Sequence, residues 1–177
     1  EMPSMLHSIG TKWLQALAFA SDGRLLAAGS DGQNVRVWNA RSGRSLHTLS
    51  GHSSLTEKIT FGPEGTVVAS AGWDQTARIW DLRRSQSPLV LRDHTGGVAI
   101  ATPGPHGRHG ALIASGGMDQ LVRLWDVTSG NLLATWSGHR GRIAALAFSQ
   151  DGRLLASGAW DSTIGLWDLN RSELIWF

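Results

Sequence analysis

Apolar residues in this chain come in short bursts, each cut off by a turn signal. Four of the bursts are built from small residues: Leu25-Leu26-Ala27-Ala28-Gly29, Val67-Val68-Ala69-Ser70-Ala71, Leu112-Ile113-Ala114-Ser115-Gly116 and Leu154-Leu155-Ala156-Ser157-Gly158. Upstream turn signals are Ser21-Asp22-Gly23, Pro63-Glu64-Gly65 and Gln150-Asp151-Gly152. The last stretch of chain is the clearest to read. It divides into Ile143 to Phe148, Arg153 to Gly158, Thr163 to Asp168 and Glu173 to Phe177, four short strands punctuated by turns. No stretch sustains a helical period. The pattern predicts an all-β protein of small four-stranded antiparallel sheets.

The bursts recur in register. Trp38-Asn39, Trp80-Asp81, Trp125-Asp126 and Trp167-Asp168 are separated by 42, 45 and 42 residues. Gly51-His52, Asp93-His94 and Gly138-His139 open three of the four units. A period of this size is the mark of a repeat architecture, in which one unit cannot bury its own faces and neighbours supply the core.

Composition narrows the chemistry. The 177 residues contain no cysteine, which excludes disulfides, thiolate nucleophiles and zinc–thiolate sites. No run approaches the ~18 apolar residues of a membrane helix, and no basic-then-apolar segment opens the chain. The chain starts Glu1-Met2-Pro3, consistent with trimming of a longer natural N-terminus. We expect a cytoplasmic location and no membrane partner. Net charge is +2, but six acids (Asp74, Asp81, Asp119, Asp126, Asp161, Asp168) sit at repeated positions and read as architectural. The remaining surface is then more basic than the sum implies. Lys12 and Lys58 are the only lysines. Arginine grips carboxylate or phosphate in a planar fork, but codon usage is the favoured source of such a bias.

With four registered copies over almost the whole chain, the pattern resembles the WD-repeat β-propeller family. The resemblance implies four-stranded antiparallel blades arranged radially, here four of them, with residues 1–177 forming one propeller segment. It also implies three hydrogen-bonded tetrads: His52, Ser70, Asp74 and Trp80; His94, Ser115, Asp119 and Trp125; His139, Ser157, Asp161 and Trp167. In each, Asp would bind His, His the Ser hydroxyl, and Ser the Trp indole N–H, so every buried polar group finds a partner. A Ser–His–Asp set also invites a hydrolase reading. Triplication at one register, the lack of a Gly-x-Ser-x-Gly elbow and the constant Trp favour architecture, and we expect no catalytic residue and no cofactor. The first unit departs from the pattern. Ala28 replaces Ser, Gly32 stands where Asp should be with Asp31 one place early, and no His opens it.

Binding is then expected on the face that, by the resemblance, carries the turns between second and third strands and the segments leading into first strands. Those positions hold Trp73, Met118 and Trp160, each just before a tetrad Asp, and Trp13, Leu55, Arg140 and Arg142. Trp and Arg are enriched at interface hot spots. The set suits a partner protein or an acidic peptide, although the same tryptophans could instead pack on neighbouring loops. Alternative readings are an enzyme with a site at the central channel, a nucleic-acid binder using Arg140, Arg142 and the face tryptophans, and a ubiquitin-ligase adaptor using Trp80-Asp81-Leu82-Arg83.

Two irregular segments remain. Pro103-Gly104-Pro105-His106-Gly107-Arg108-His109-Gly110 lengthens the third unit and should disturb its first strand, with Pro103 in the place of Phe61 and Phe148. His106 and His109 lack an evident third ligand, so no metal is expected and the insertion reads as a loop on the opposite face. Ser4 to Ile9 resembles Ser45 to Leu49, an outer strand with no blade of its own. Four blades fall short of the family's usual ring, so the segment is expected to be part of a longer propeller or half of an eight-bladed ring made by two copies. Closure of four blades alone is the third possibility.

Overall fold

A computed structural model of the chain describes residues 13–30, 33–84, 87–105 and 111–176. The described residues form sixteen strands in four sheets, each a simple antiparallel meander. Blade 1 comprises β1 (Leu14–Phe19), β2 (Leu25–Ser30), β3 (Asn34–Asn39) and β4 (Ser45–Ser50). Blade 2 comprises β5 (Thr56–Phe61), β6 (Val67–Gly72), β7 (Thr76–Asp81) and β8 (Leu89–Arg92). Blade 3 comprises β9 (Val98–Pro103), β10 (Leu112–Gly117), β11 (Val122–Asp126) and β12 (Leu132–Trp136). Blade 4 comprises β13 (Ile143–Phe148), β14 (Leu154–Ala159), β15 (Ile164–Asp168) and β16 (Glu173–Trp176).

The small-residue bursts are the second strands, and the reason for their size is steric. A Cβ added to Gly116 would lie 2.6 Å from the Ile143 side chain of the next blade, and one on Gly29 would lie 2.8 Å from Ile59. Small residues let the first strand of each blade close onto the second strand of the one before it. Blades stack in sequence order through their first strands, β1 on β5, β5 on β9 and β9 on β13. No comparable contact joins β13 back to β1 among the described residues.

The core lies between blades, as the repeat logic requires. Ala16, Ala27, Val35 and Val37 of blade 1 meet Ile59, Val68 and Trp80 of blade 2. Ala69, Ala71, Ile79 and Leu91 meet Val98, Ala101, Ile113 and Trp125. Ile100, Leu112, Val122 and Leu124 meet Ile143, Leu146, Leu155 and Trp167. Trp136 of blade 3 stacks on Trp167 of blade 4, with ring centroids 5.3 Å apart.

The third blade corrects one expectation. Pro103 does not disturb β9, which keeps six residues like β5 and β13. Pro103 is the last residue of an edge strand, opposite Ile113, where a missing N–H leaves little unpaired. The ladder closes beyond it, with Gly104 N–H donating to the Leu112 carbonyl at 2.8 Å. In blade 4, β14 and β15 begin one residue later than expected, at Leu154 and Ile164. The expected outer strand over residues 4–9, and Asp31, Gly32, His106, His109 and Phe177, lie outside the described residues.

Candidate protein-interaction face

Two groups of tryptophans occupy two environments. In blade 2, His52 Nδ1 donates to Asp74 at 2.9 Å, Ser70 Oγ lies 2.8 Å from His52 Nε2, and Trp80 Nε1 donates to Ser70 Oγ at 2.9 Å. The donors run one way along the chain, from indole N–H to hydroxyl to imidazole to carboxylate, which fits a neutral His with its proton on Nδ1. Blade 3 repeats the set: His94 to Asp119 at 2.9 Å, His94 to Ser115 at 2.8 Å and Trp125 to Ser115 at 2.8 Å. In blade 4, His139 Nε2 to Ser157 and Trp167 to Ser157 are both 2.8 Å, but His139 is 3.3 Å from Asp161 and 2.9 Å from the Thr163 hydroxyl.

Each tetrad Asp also shapes the turn that follows it. Asp74 accepts from Thr76 N–H, Asp119 from Leu121 N–H and Asp161 from Thr163 N–H. The residue between, Gln75, Gln120 or Ser162, is held at positive φ. Burial alone would push the Asp74 carboxyl up. Hydrogen bonds from His52, Thr76 and Ser53 N–H outweigh it and hold the group well below the usual carboxylate range. Asp119 behaves likewise through His94 and Arg123. The Thr163 hydroxyl and Arg140 N–H bring Asp161 down.

The Asp–His–Ser distances match those of a hydrolytic triad, yet each set is sealed. Ser70, Ser115 and Ser157 are at most 1% exposed. An indole N–H also caps each hydroxyl oxygen that would have to attack a substrate. These sets tie the strands and turns within a single blade; they offer no path for an acyl group.

Two tetrads have a fifth member that reading the motif alone missed. Arg123, buried in blade 3, donates to Asp119 at 2.6 Å and to Asp93 at 3.0 Å. Arg78 takes the same position in blade 2, 3.7 Å from Asp74. Both stand two residues before the tetrad Trp, as does Arg36 in blade 1, whereas blade 4 has Gly165 there. That recurrence was a usable signal.

The second tryptophan group lies at the surface. Trp73 N–H donates to the Leu55 carbonyl, Met118 N–H to Gly97 and Trp160 N–H to Arg142, each at 2.9 Å. The turn before each tetrad Asp is thereby tied to the segment leading into the first strand. This pairing brings Trp73 beside Leu55 and Trp160 beside Arg142. Trp73, Met118 and Trp160 are 50%, 42% and 68% exposed, and Trp13 is 69% exposed. Leu55 is half-buried and Arg140 exposed.

Glu57 links the set across blades, and sequence reasoning missed it. It falls at a bulge in β5, where pairing skips from Thr56 to Lys58. A bulge re-aims a side chain out of the strand's alternation. Glu57 accepts from Trp73 Nε1 at 2.7 Å and from the Arg142 guanidinium of blade 4. Arg142 in turn lies over the Trp160 ring, 4.9 Å from its centroid, a cation–π contact. Blade 3 carries the small residues Gly97 and Ala99 at the positions of Leu55 and Glu57. Trp73, Glu57, Arg142 and Trp160 thus form one connected chain that joins blades 2 and 4. Arg142 is not the free cation that an acidic ligand would need; Glu57 already supplies its carboxylate. Arg140 donates its backbone N–H to Asp161 at 2.6 Å and leaves its side chain in solvent.

The other candidates look different in three dimensions. Arg83 is exposed and folds back onto Asp81 through two 3.0 Å hydrogen bonds. No cluster of three metal-ligating side chains occurs among the described residues. No helix among them is long and apolar enough to cross a membrane.

Four-stranded meanders stacked through their first strands and pinned by Asp–His–Ser–Trp sets define a β-propeller-like repeat protein. The WD40 pattern, the WD domain or G-beta repeat, matches residues 4–39, 43–81, 85–126 and 130–168, and the chain belongs to that family. Its members serve generally as protein-interaction modules. The chain is 41% identical over 54 residues to an uncharacterized WD repeat-containing protein, alr3466, of Nostoc sp., a match covering 29% of this chain and 4% of that protein. It is 50% identical over 38 residues to a probable serine/threonine-protein kinase, PkwA, of Thermomonospora curvata, covering 22% of this chain and 5% of the kinase. Both matches span only a small part of those relatives, and the second is shorter than one repeat.

Proposed function

We propose that this chain is a scaffold or sensor module that holds a partner protein or peptide on the face bearing Trp13, Leu55, Trp73, Met118, Arg140 and Trp160. The observation that carries the reading is the linked set Trp73, Glu57, Arg142 and Trp160. It fixes large aromatic surfaces in place before a partner arrives, which lowers the ordering cost of binding. Each exposed tryptophan can bury about 150–250 Å². With Arg142 neutralised by Glu57, the preferred partner is a protein edge or peptide that offers apolar groups to the tryptophans and one acid to Arg140.

Four repeats also read as one propeller segment that other blades complete, from a longer chain or from a second copy. The cytoplasm is the proposed setting. The test of the face is a capture experiment in which wild type and Trp73→Ala/Trp160→Ala are offered the same extract. Proteins retained by wild type and lost with the variant are expected. Equal retention by both would remove the face from consideration.

A further inference from the structure

We propose that Arg78 and Arg92 of blade 2 form a binding site for one carboxylate side chain of a partner protein. Blade 3 shows the equivalent site filled by the chain's own aspartate. The site is separate from the tryptophan face and does not rest on what that face holds.

The two blades differ at one position. Arg78 and Arg123 both stand two residues before a tetrad Trp, and both reach the residue that precedes a tetrad His. In blade 3 that residue is Asp93, and it satisfies the guanidinium. Arg123 Nε donates to the Asp93 carboxylate at 3.0 Å, Nη2 to the Asp93 carbonyl at 2.9 Å and Nη1 to Asp119 at 2.6 Å. In blade 2 the residue is Gly51, which has no carboxylate to offer. The guanidinium still lies against it, with Nη1 2.5 Å from the place that a Cβ on Gly51 would take. Arg78 keeps a 3.3 Å hydrogen bond from Nε to the Thr76 hydroxyl and a 3.7 Å approach of Nη2 to Asp74. Neither of its Nη groups donates a hydrogen bond among the described residues. Blade 4 carries Gly138 and Gly165 at the two positions and so lacks acid and base together. Of the three blades with a tetrad His, blade 2 has the arginine without its acid.

A second cation adds to the demand for an anion. Arg92 ends β8 opposite Thr76, at the position that Ser50 and Ser137 hold before Gly51 and Gly138. It is exposed. Burial pushes the Arg78 guanidinium down, Asp74 pulls it up, and the charge of Arg92 lowers it again. A buried charge is stable when it is paired. Asp93 identifies the pairing group as a carboxylate, because that is what the same guanidinium takes in blade 3. The Arg78 side chain is 10% exposed against 4% for Arg123, so the arginine without an acid is also the one that solvent reaches more. The place is not an end of the stack. Gly51 lies in the segment joining blades 1 and 2, and blade 2 packs on a neighbour at each side.

NMR titration of the isotope-labelled full chain is the test, read at the arginine Nε–H signals and the Gly51 amide. The probe is acetyl-aspartyl amide, with acetyl-asparaginyl amide as the neutral control and inorganic phosphate as a second anion. The aspartyl probe should move the Arg78 and Gly51 signals saturably and leave Arg123 unmoved. Arg92→Ala should weaken binding about threefold, the weight of an exposed ion pair. Arg78→Gln should weaken it about tenfold or more, the weight of charge-assisted hydrogen bonds. Asp93→Ala removes a half-exposed carboxylate and should make Arg123 respond as Arg78 does. A silent Arg78, equal movement with the asparaginyl probe, tighter binding of phosphate than of the aspartyl probe, or an Arg123 that stays silent in Asp93→Ala would overturn the proposal.

Discussion

The same side chain does two opposite jobs in this molecule. Trp80, Trp125 and Trp167 are 4%, 3% and 1% exposed and give their indole protons to buried serines. Trp73 gives its indole proton to a carboxylate near the surface, and Trp160 lies under a guanidinium with most of its area in water. The first group is held by a polar set repeated three times at one register. The second is held by a single set joining blades 2 and 4. Repetition marks what three of the four blades share, and the connection made once sets this face apart from the rest of the molecule.

Removing a tryptophan of the first group should have the largest effect. Trp125→Ala empties the interface between blades 2 and 3 and should cost about 3–5 kcal/mol, read by chemical denaturation as a lower midpoint. Ser115→Ala is the finer cut. It leaves the Trp125 indole N–H and the Nε2 of His94 without their serine partner and should cost about 1–3 kcal/mol. No comparable loss is expected from any substitution confined to Met118.

Acid should distinguish the two regions as well. Asp74 and Asp119 are held below the range of about 4 that an unfolded carboxylate shows. Between those values the unfolded chain binds more protons than the folded one. The stability these two carboxylates contribute should be present above about pH 4 and be lost as pH falls below it. Melting temperature followed across that range should show the fall, and Asp119→Asn should make it shallower.

Much of this was legible beforehand because repetition averages out local ambiguity. Each burst alone could be a strand or a buried helix segment. Four at one spacing, each with a Trp and three with a His, leave a single reading. The tetrads came from the family resemblance that this register supports. The proline at position 103 misled because its cost depends on whether the strand has a free edge, which only pairing reveals. Glu57 was invisible because a bulge, not alternation, aims it. The Arg142–Glu57 pair was equally invisible, because the two residues lie 85 positions apart. Arg78 and Arg123 could have been found, had the position two before each tryptophan been compared.

The separation of the two groups has one direct measure: the thermal unfolding of Trp73→Ala/Trp160→Ala beside that of Trp125→Ala. The face substitutions remove mostly exposed area, one exposed hydrogen bond and one cation–π contact, so the double variant should stay within about 2 kcal/mol of wild type. Trp125→Ala should fall far below it. A double variant that unfolds as readily as Trp125→Ala would contradict the account, because the face tryptophans would then belong to the core.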